Sequence, residues 1–213
     1  MGGKHLMKQV AKDLLEINAV TLSPNEPFTW ASGIKSPIYC DNRLTISYPE
    51  IRTRIAKGIA ELIRKNFSEV EMIAGTATAG IPHAAWIAQE LQLPMTYVRS
   101  KPKDHGRGKQ IEGFLKPGQK TILIDDLIST GGSVLQAVTA AQKEDADVIG
   151  VCGIFSYQLD AAEENFAAAK IPFATLTNYG ELIDVAEAEE QINTSEKELL
   201  KKWRKDPENW LKD

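Results

Sequence analysis

Two adjacent carboxylates, Asp125 and Asp126, are residues whose type and spacing could support chemistry or ligand binding. They follow an apolar run at residues 121–124 whose β-branched side chains favour a strand buried on both faces. After Leu127 and Ile128 comes a stretch of small and hydroxylated residues, and apolar residues then recur at helical spacing over 134–141. The order predicts a strand, an acidic edge, a loop of small residues and the start of a helix.

The loop of small residues could bind a phosphate. Its members are Ser129, Thr130, Gly131, Gly132 and Ser133. Glycines let the backbone approach an anion, and the first N–H groups of the following helix point outward without an intrahelical partner. The carboxylates would repel a phosphate and fit better as acceptors for sugar hydroxyls or as anchors for hydrated Mg²⁺. Together these features indicate a phosphorylated ribose; the alternative is an ordinary strand-to-helix turn with two solvated aspartates.

Two other phosphate-binding patterns are absent from this stretch. No Gly-Lys-Ser/Thr follows the glycines, and there is no Gly-x-Gly-x-x-Gly. A Walker loop is therefore excluded, and a dinucleotide site is not expected.

A second candidate site is the basic segment at residues 100–109, which contains no apolar side chain and two glycines. Five basic residues surround or occupy it against the single acid Asp104: Arg99, Lys101, Lys103, Arg107 and Lys109. Such a segment buries nothing, so it is predicted to be a mobile surface loop. In an acidic protein a local basic loop indicates an anionic ligand, over which it could close. A solvated loop without a ligand is the alternative.

Composition limits the other possibilities. The chain has 213 residues, a net charge of −4 and a pI near 5.5, which argues against a general nucleic-acid binder. No window approaches 18 uninterrupted apolar residues, so no membrane span is expected. Cys40 and Cys152 are far apart and lack metal-ligand spacing, which favours a reducing, cytoplasmic setting.

The elements that must position these loops alternate between strands and helices. Strands are predicted near 72–75, 95–99, 121–125, 148–155 and 173–176. This order predicts an α/β fold with a central parallel sheet flanked by helices. Another small-residue loop, at 76–80, follows the first of these strands. Because ligand loops gather at the carboxyl ends of parallel strands, all three loops can meet in one cleft.

Three segments carry a resemblance to known proteins. Residues 122–133 resemble the binding signature for phosphoribosyl diphosphate (PRPP) of the type I phosphoribosyltransferases. Two further patterns resemble the orotate phosphoribosyltransferase family. One is the hood pattern Phe28, Thr29, Ser32, Gly33, Lys35, Ser36, Pro37 and Tyr39; the other is the catalytic-loop pattern Arg99, Lys103, Asp104, His105 and Gly106.

The resemblance implies the type I phosphoribosyltransferase fold as a single domain over residues 1–213, with a small N-terminal hood formed mainly by about 19–45. It implies transfer of 5-phosphoribosyl from PRPP to orotate, giving orotidine 5′-monophosphate and pyrophosphate in pyrimidine biosynthesis, with Mg²⁺ as cofactor. It further implies a homodimer with shared active sites, in which the basic loop serves the neighbouring subunit. No nucleic acid or membrane partner is expected.

The resemblance also assigns roles to residues. The catalytic set is Lys103, Asp125 and Asp126. PRPP would be bound by Arg99, Lys103, His105, Asp125, Asp126, Leu127, Ile128, Ser129, Thr130, Gly131, Gly132 and Ser133. Ser129 would also contact orotate, and the 76–79 loop, which can carry a strained peptide in the family, would meet the pyrophosphate. Mg²⁺ would have no direct protein ligand, being carried by PRPP and held through water to Asp125 or Asp126.

The sequence departs from the family pattern at three positions. Ala31 stands where some members have a ligand-binding lysine, with Lys35 as the nearest replacement, and Ser100 stands where some have a second lysine. Tyr157 takes the place of an arginine that holds the orotate carboxylate in some members. Two other functions remain open at this stage: a purine phosphoribosyltransferase and a regulator that senses PRPP without turnover.

Overall fold

The computed structural model describes residues 3–30, 33–102 and 110–211, which form a mostly parallel sheet between two layers of helices. The strands are β1 (Val20–Leu22), β2 (Phe28–Thr29), β3 (Lys35–Ser36), β4 (Ile38–Cys40), β5 (Met72–Thr76), β6 (Met95–Val98), β7 (Ile111–Glu112), β8 (Lys120–Ile128), β9 (Asp147–Ser156) and β10 (Phe173–Asn178). The helices are α1 (Gly3–Glu16), α2 (Pro49–Asn66), α3 (Gly80–Leu91), α4 (Gly132–Lys143), α5 (Asp160–Ala169), α6 (Tyr179–Ala188) and α7 (Thr194–Lys205), with a 3-10 helix at Asn42–Ser47.

The central sheet has the strand order β10-β9-β8-β5-β6-β7. The first five strands are parallel, which confirms the predicted sheet, and these are the five strands that the sequence predicts. β7 was not predicted; it pairs antiparallel with β6 and brings the chain back after the basic segment. β8 is longer than the predicted 121–125, because its pairing with β9 continues to Ile128 opposite Ser156.

The core lies on both faces of the sheet. Successive residues of β8 alternate between two apolar clusters: Ile122 and Ile124 belong to one, and Leu123 to the other. Helices α1, α2, α3, α6 and α7 contribute to the first cluster, and α4 and α5 to the second. Burial on both faces explains why the strands read as apolar runs rather than as alternating patterns.

The hood consists of two short antiparallel pairs, β1 with β4 and β2 with β3. The 3-10 helix continues from β4 and leads into α2, which begins at Pro49. At the other end of the chain, α7 begins at a capping box made by Asn193 and Glu196. Within the three described ranges, none of the helices combines the length and apolar character that a membrane span requires.

Candidate active site

Three of the predicted loops meet at the carboxyl ends of β5, β6 and β8, around a cleft of about 130 Å³. The lining residues are Thr76, Ala77, Val98, Arg99, Ser100, Gln110, Asp125, Ser133, Gln136 and Ala137. They come from the 76–80 loop, from residues on either side of the basic segment, from Asp125 and from the start of α4. The expected convergence on one cleft is therefore confirmed for the residues that the structure describes.

Asp125 is buried at the floor of this cleft. Its Oδ1 accepts hydrogen bonds from the Thr76 hydroxyl, at 2.8 Å, and from the Asp126 main-chain N–H, at 3.0 Å. Burial raises the pKa of this carboxyl above its usual range, and the two hydrogen bonds oppose the rise because they favour the charged form. Asp125 is thus an acceptor fixed in position before any ligand arrives.

Asp126 is half-buried beside it and titrates differently. Burial, followed by the negative charge of Asp125, raises the pKa of Asp126 to about 7, and the positive charge of Arg43 partly offsets this. Two carboxylates held this close attract a cation or hydroxyl donors, since either relieves their repulsion.

The donor set fits Mg²⁺ held mainly by water and substrate oxygens. Among the described residues, no group of three or more histidine, cysteine or acidic side chains could hold a metal ion by itself. Mg²⁺ commonly keeps several waters and uses one or two carboxylates together with substrate phosphates. Asp125 and Asp126 provide such a pair.

The loop after β8 is shaped by Gly131 and the start of α4. Gly131 has φ +78°, a left-handed conformation that favours glycine. A Cβ atom built there would also lie 2.6 Å from the Phe166 ring, so both the backbone and the available space require glycine. The Asn165 side chain donates to the Thr130 carbonyl at 2.9 Å and holds the loop from below. Because α4 begins at Gly132, its first N–H groups have no partner within the helix and can bind an anion.

Leu127 and Ile128 are the last two residues of β8 rather than part of the loop. Ile128 is 1% exposed and Leu127 packs against the core, so only their main chains could reach a ligand. Their assignment to PRPP stays a prediction, as do those of Ser129–Ser133.

The 76–80 loop is held tightly between its neighbours. The Ala77 N–H donates to the Val98 carbonyl at 2.9 Å, and the peptide bond between Ala77 and Thr78 is cis. At Gly80, a Cβ atom would collide with the Ile124 carbonyl, so only glycine lets α3 approach β8 this closely. The loop is therefore pressed against the floor of the cleft.

Arg99 and Gln110, which flank the basic segment, both line the cleft. The Arg99 N–H donates to the Gln110 carbonyl at 2.8 Å, and the Gln110 side chain donates to the Arg99 carbonyl at 2.7 Å. The Arg99 guanidinium is 4.0 Å from Glu112. Two predicted ligands, Lys103 and His105, lie outside the described residues.

The hood reaches the site through Asn42, a residue that the sequence analysis missed. Its buried side chain donates to the Asp126 carbonyl at 2.6 Å. His83 supports the same 3-10 helix from α3: its Nε2 lies 3.3 Å from the Thr45 hydroxyl, and burial lowers its pKa to about 4. His83 is thus a structural residue that supports the 3-10 helix. No local pattern marks Asn42, because its partner is 84 residues away.

Lys35 and Tyr157, two residues at or near the positions where the sequence departs from the family pattern, both contact other residues of the protein. The Lys35 ammonium donates to the Thr29 hydroxyl at 2.7 Å across the hood hairpin. Tyr157 is 3% exposed and packs against Trp30 and Phe155, with ring centroids 5.3 and 5.4 Å away. Ala31 and Ser32 lie outside the described residues. Tyr157 therefore supports the hood from beneath.

Comparison with known proteins agrees with this geometry. The phosphoribosyl transferase domain family matches residues 47–193. The chain is 61% identical to an orotate phosphoribosyltransferase of Enterococcus faecalis over 205 residues, covering 96% of this chain and 98% of the relative. It is 63% identical to that of Lactiplantibacillus plantarum over 201 residues, covering 94% and 95% respectively.

A solved structure shows the same fold at lower identity. The crystal structure of orotate phosphoribosyltransferase from Aeropyrum pernix superposes with a TM-score of 0.72 at 23% identity. The match covers 86% of this chain and 99% of that one.

Proposed function

The chain belongs to the orotate phosphoribosyltransferase family, and from this premise we propose that it transfers 5-phosphoribosyl from PRPP to orotate, giving orotidine 5′-monophosphate and pyrophosphate in pyrimidine biosynthesis. The observation that carries the proposal is the high identity to relatives of that name over nearly the whole chain. The cleft supports it, because Asp125, the start of α4 and Arg99 at the beginning of the basic segment all line it.

The residues after β8 would bind the donor. The N–H groups and hydroxyls of Ser129–Ser133 would hold the 5′-phosphate, and Asp125 and Asp126 would accept hydrogen bonds from the ribose hydroxyls. Support comes from the position of this loop at the start of α4 and from the fixed orientation of Asp125.

Mg²⁺ would be held through water by Asp125 or Asp126 and directly by PRPP. When bound, it supplies positive charge beside the diphosphate and the ribose hydroxyls. The proximity of the two carboxylates supports this, because their pKa values are raised until a positive partner arrives.

In the reaction, a ring nitrogen of orotate forms a bond to the anomeric carbon while the bond from that carbon to the pyrophosphate oxygen breaks. The sugar passes through an oxocarbenium-like state, and no protein nucleophile is needed because the donor is already activated. Arg99, Lys103 and His105 would stabilise the negative charge on the departing pyrophosphate. Ser129 would contact orotate under the hood.

We further propose a single catalytic domain with a hood at about 19–45, acting as a homodimer whose basic loop serves the neighbouring site. One continuous sheet with both faces covered supports the single domain. A reducing, cytoplasmic setting is supported by Cys40 and Cys152, which are both free thiols.

The first test is the loss of orotate absorbance with PRPP and Mg²⁺, for the wild-type chain and Lys103→Ala. We expect turnover that needs both substrates and falls steeply in the variant. Turnover with adenine or hypoxanthine but not orotate would contradict the proposal in favour of a purine enzyme. PRPP binding without any turnover would favour a sensor.

Sharing of the active site is tested by mixing Lys103→Ala chains with Asp125→Ala chains. Each inactive homodimer lacks one half of the site, so mixed dimers should regain activity at one site of the two. If mixing and re-equilibration restore no activity, the sharing of the loop between subunits is wrong.

A further inference from the structure

The C-terminal helix α7 inserts one tryptophan beneath the hood. Trp203 is 0% exposed, and its indole N–H donates to the main-chain carbonyl of Lys35 at 3.0 Å. The two residues are 168 positions apart in the chain. Lys35 belongs to β3, so this bond attaches one strand of the hood hairpin to the far end of the protein.

The same indole ring holds the other side of the hairpin. It packs edge-on against Trp30, with ring centroids 5.6 Å apart at 81°. Trp30 follows β2, and its own indole N–H donates to the Ile38 carbonyl at 3.3 Å. Trp203 therefore contacts both arms of the hairpin, one through a hydrogen bond and one through a ring.

Helix α7 is in turn fixed to the body of the domain. The Tyr179 hydroxyl donates to the Leu200 carbonyl at 3.0 Å, and the Arg204 guanidinium donates to the Gln158 side chain at 3.1 Å. A separate contact joins α7 to the hood at its edge, where the Asn25 amide donates to Glu196 at 2.8 Å. The helix is thus a rigid link between the sheet and the hood.

The hood needs such a link because its own pairing is minimal. β2 and β3 have two residues each, and β1 and β4 have three. Isolated two-stranded hairpins are at best marginally stable in water, so their position must come from packing against the rest of the protein. Trp203 contributes to that packing through its contacts with Lys35 and Trp30.

We propose that Trp203 is a positioning residue for the acceptor substrate: from α7 it sets the position of the hood over the ring that receives the phosphoribosyl group. The inference rests on the proposed function, in which the hood covers orotate. Trp203 does not line the cleft formed by the donor loops, so its effect should fall on orotate and spare PRPP.

The test is Trp203→Phe, which keeps an aromatic ring and removes the hydrogen bond to Lys35. We expect the KM for orotate to rise about tenfold, the effect of losing one partly buried hydrogen bond, while kcat and the KM for PRPP change less than about twofold. Hydrogen exchange should become faster in the peptides covering residues 33–40 and remain unchanged in those covering β8.

Tyr179→Phe is the matched control, because it removes one buried hydrogen bond from α7 and leaves the hood contacts in place. Trp203→Phe should lower the unfolding midpoint more, because it also leaves a cavity where the larger indole ring was buried, and only Trp203→Phe should raise the KM for orotate. Equal changes in that KM, or none in Trp203→Phe, would overturn the proposal.

If Trp203→Phe does not fold, Asn25→Ala tests the same inference. The hydrogen bond from Asn25 to α7 is exposed, so its loss should not prevent folding. It should raise the KM for orotate about two- to threefold and leave that for PRPP unchanged, in keeping with one exposed hydrogen bond. A wild-type chain that does not consume orotate would contradict the proposed function instead; an active wild type with unaffected variants would contradict only the role of α7.

Discussion

The side chain of Asn42 donates a 2.6 Å hydrogen bond to the main-chain carbonyl of Asp126. This bond joins the 3-10 helix that follows the hood to the end of β8, where the acidic pair lies. Cys40 contributes on the hood side, with its thiol 3.4 Å from the Asn42 side-chain oxygen. The acceptor side and the donor side of the proposed site are therefore joined by one partly buried hydrogen bond.

We expect Asn42→Ala to lower the free energy of unfolding by about 1–2 kcal/mol, because it leaves the partly buried Asp126 carbonyl without this partner. The same loss should reduce kcat/KM for both substrates, since Asp126 and the hood are then no longer held together. Urea unfolding and steady-state kinetics measure the two effects.

Ser36→Ala is the control for Asn42→Ala. Ser36 is also fully buried, but its hydroxyl donates to the Ile38 carbonyl within the hood and does not reach β8. Ser36→Ala should lower the free energy of unfolding by a comparable amount and should reduce kcat/KM much less. Equal losses of activity would show that the bond to Asp126 has no special role.

Thr76→Val should weaken binding of PRPP near the acid limit of activity. The Thr76 hydroxyl holds Asp125 at 2.8 Å and lowers the pKa of that carboxyl against the effect of burial. Without it the pKa of Asp125 rises further, so the acid limb of the kcat/KM profile for PRPP should move to higher pH. At pH 6 we expect kcat/KM to fall about fivefold, the effect of one lost hydrogen bond.

Thr121→Val is the matched control at the opposite end of the sheet. Its hydroxyl donates to the Gln119 carbonyl, away from the cleft. Thr121→Val makes the same change of side chain as Thr76→Val, and it should leave the pH dependence of kcat/KM for PRPP unchanged. A profile shifted equally by both variants would refute the role of Thr76.

Stability should depend on pH through Asp126. Its pKa is near 7 in the folded chain, above the value of 3.8 for an unperturbed carboxyl, so between these values the folded state binds the proton more tightly. Folding then takes up a proton, and the contribution of this group to stability falls as the pH rises from about 4 to 7.

Asp126→Asn should therefore be more stable than the wild type at pH 8 by about 1–2 kcal/mol, less than the full shift because water still reaches this half-buried group. At pH 4 the two chains should be nearly equal. Urea unfolding of the ligand-free chains at both pH values gives the comparison. A stability difference that does not change with pH would rule out the raised pKa.

Gly131→Ala should disturb the loop after β8 more than the strained backbone conformation alone would. The left-handed backbone costs about 1–2 kcal/mol for a residue with a Cβ atom, and the collision with Phe166 adds about 1–3 kcal/mol. The KM for PRPP should rise, because relief of the collision moves the loop.

Gly118→Ala separates these two effects. Gly118 has φ +74°, close to that of Gly131, but a Cβ atom there would meet nothing within 4 Å. Gly118→Ala should lose only the stability that corresponds to the left-handed backbone, and it should retain the wild-type KM for PRPP. An equal rise in both variants would mean that the contact with Phe166 does not shape the site.

The order of strands and helices could be predicted from the sequence because each signal is local. Residues 121–124 form a run rich in apolar and β-branched side chains, and the apolar residues after Gly132 recur at helical spacing, so neither signal needs a distant partner to be recognised. The acidic pair and the loop of small residues could be found for the same reason. Their meeting in one cleft followed from the rule that loops gather at the carboxyl ends of parallel strands.

The contacts that fix the site were decided by the tertiary structure alone. Asn42 lies 84 residues from Asp126, and Trp203 lies 168 residues from Lys35, so no local spacing encodes either bond. The raised pKa of Asp126 likewise depends on burial, which exists only once the hood and β8 are packed together. The sequence by itself determined which groups could bind a phosphorylated sugar; folding decided their positions and ionisation, because both depend on neighbours that are distant in the chain.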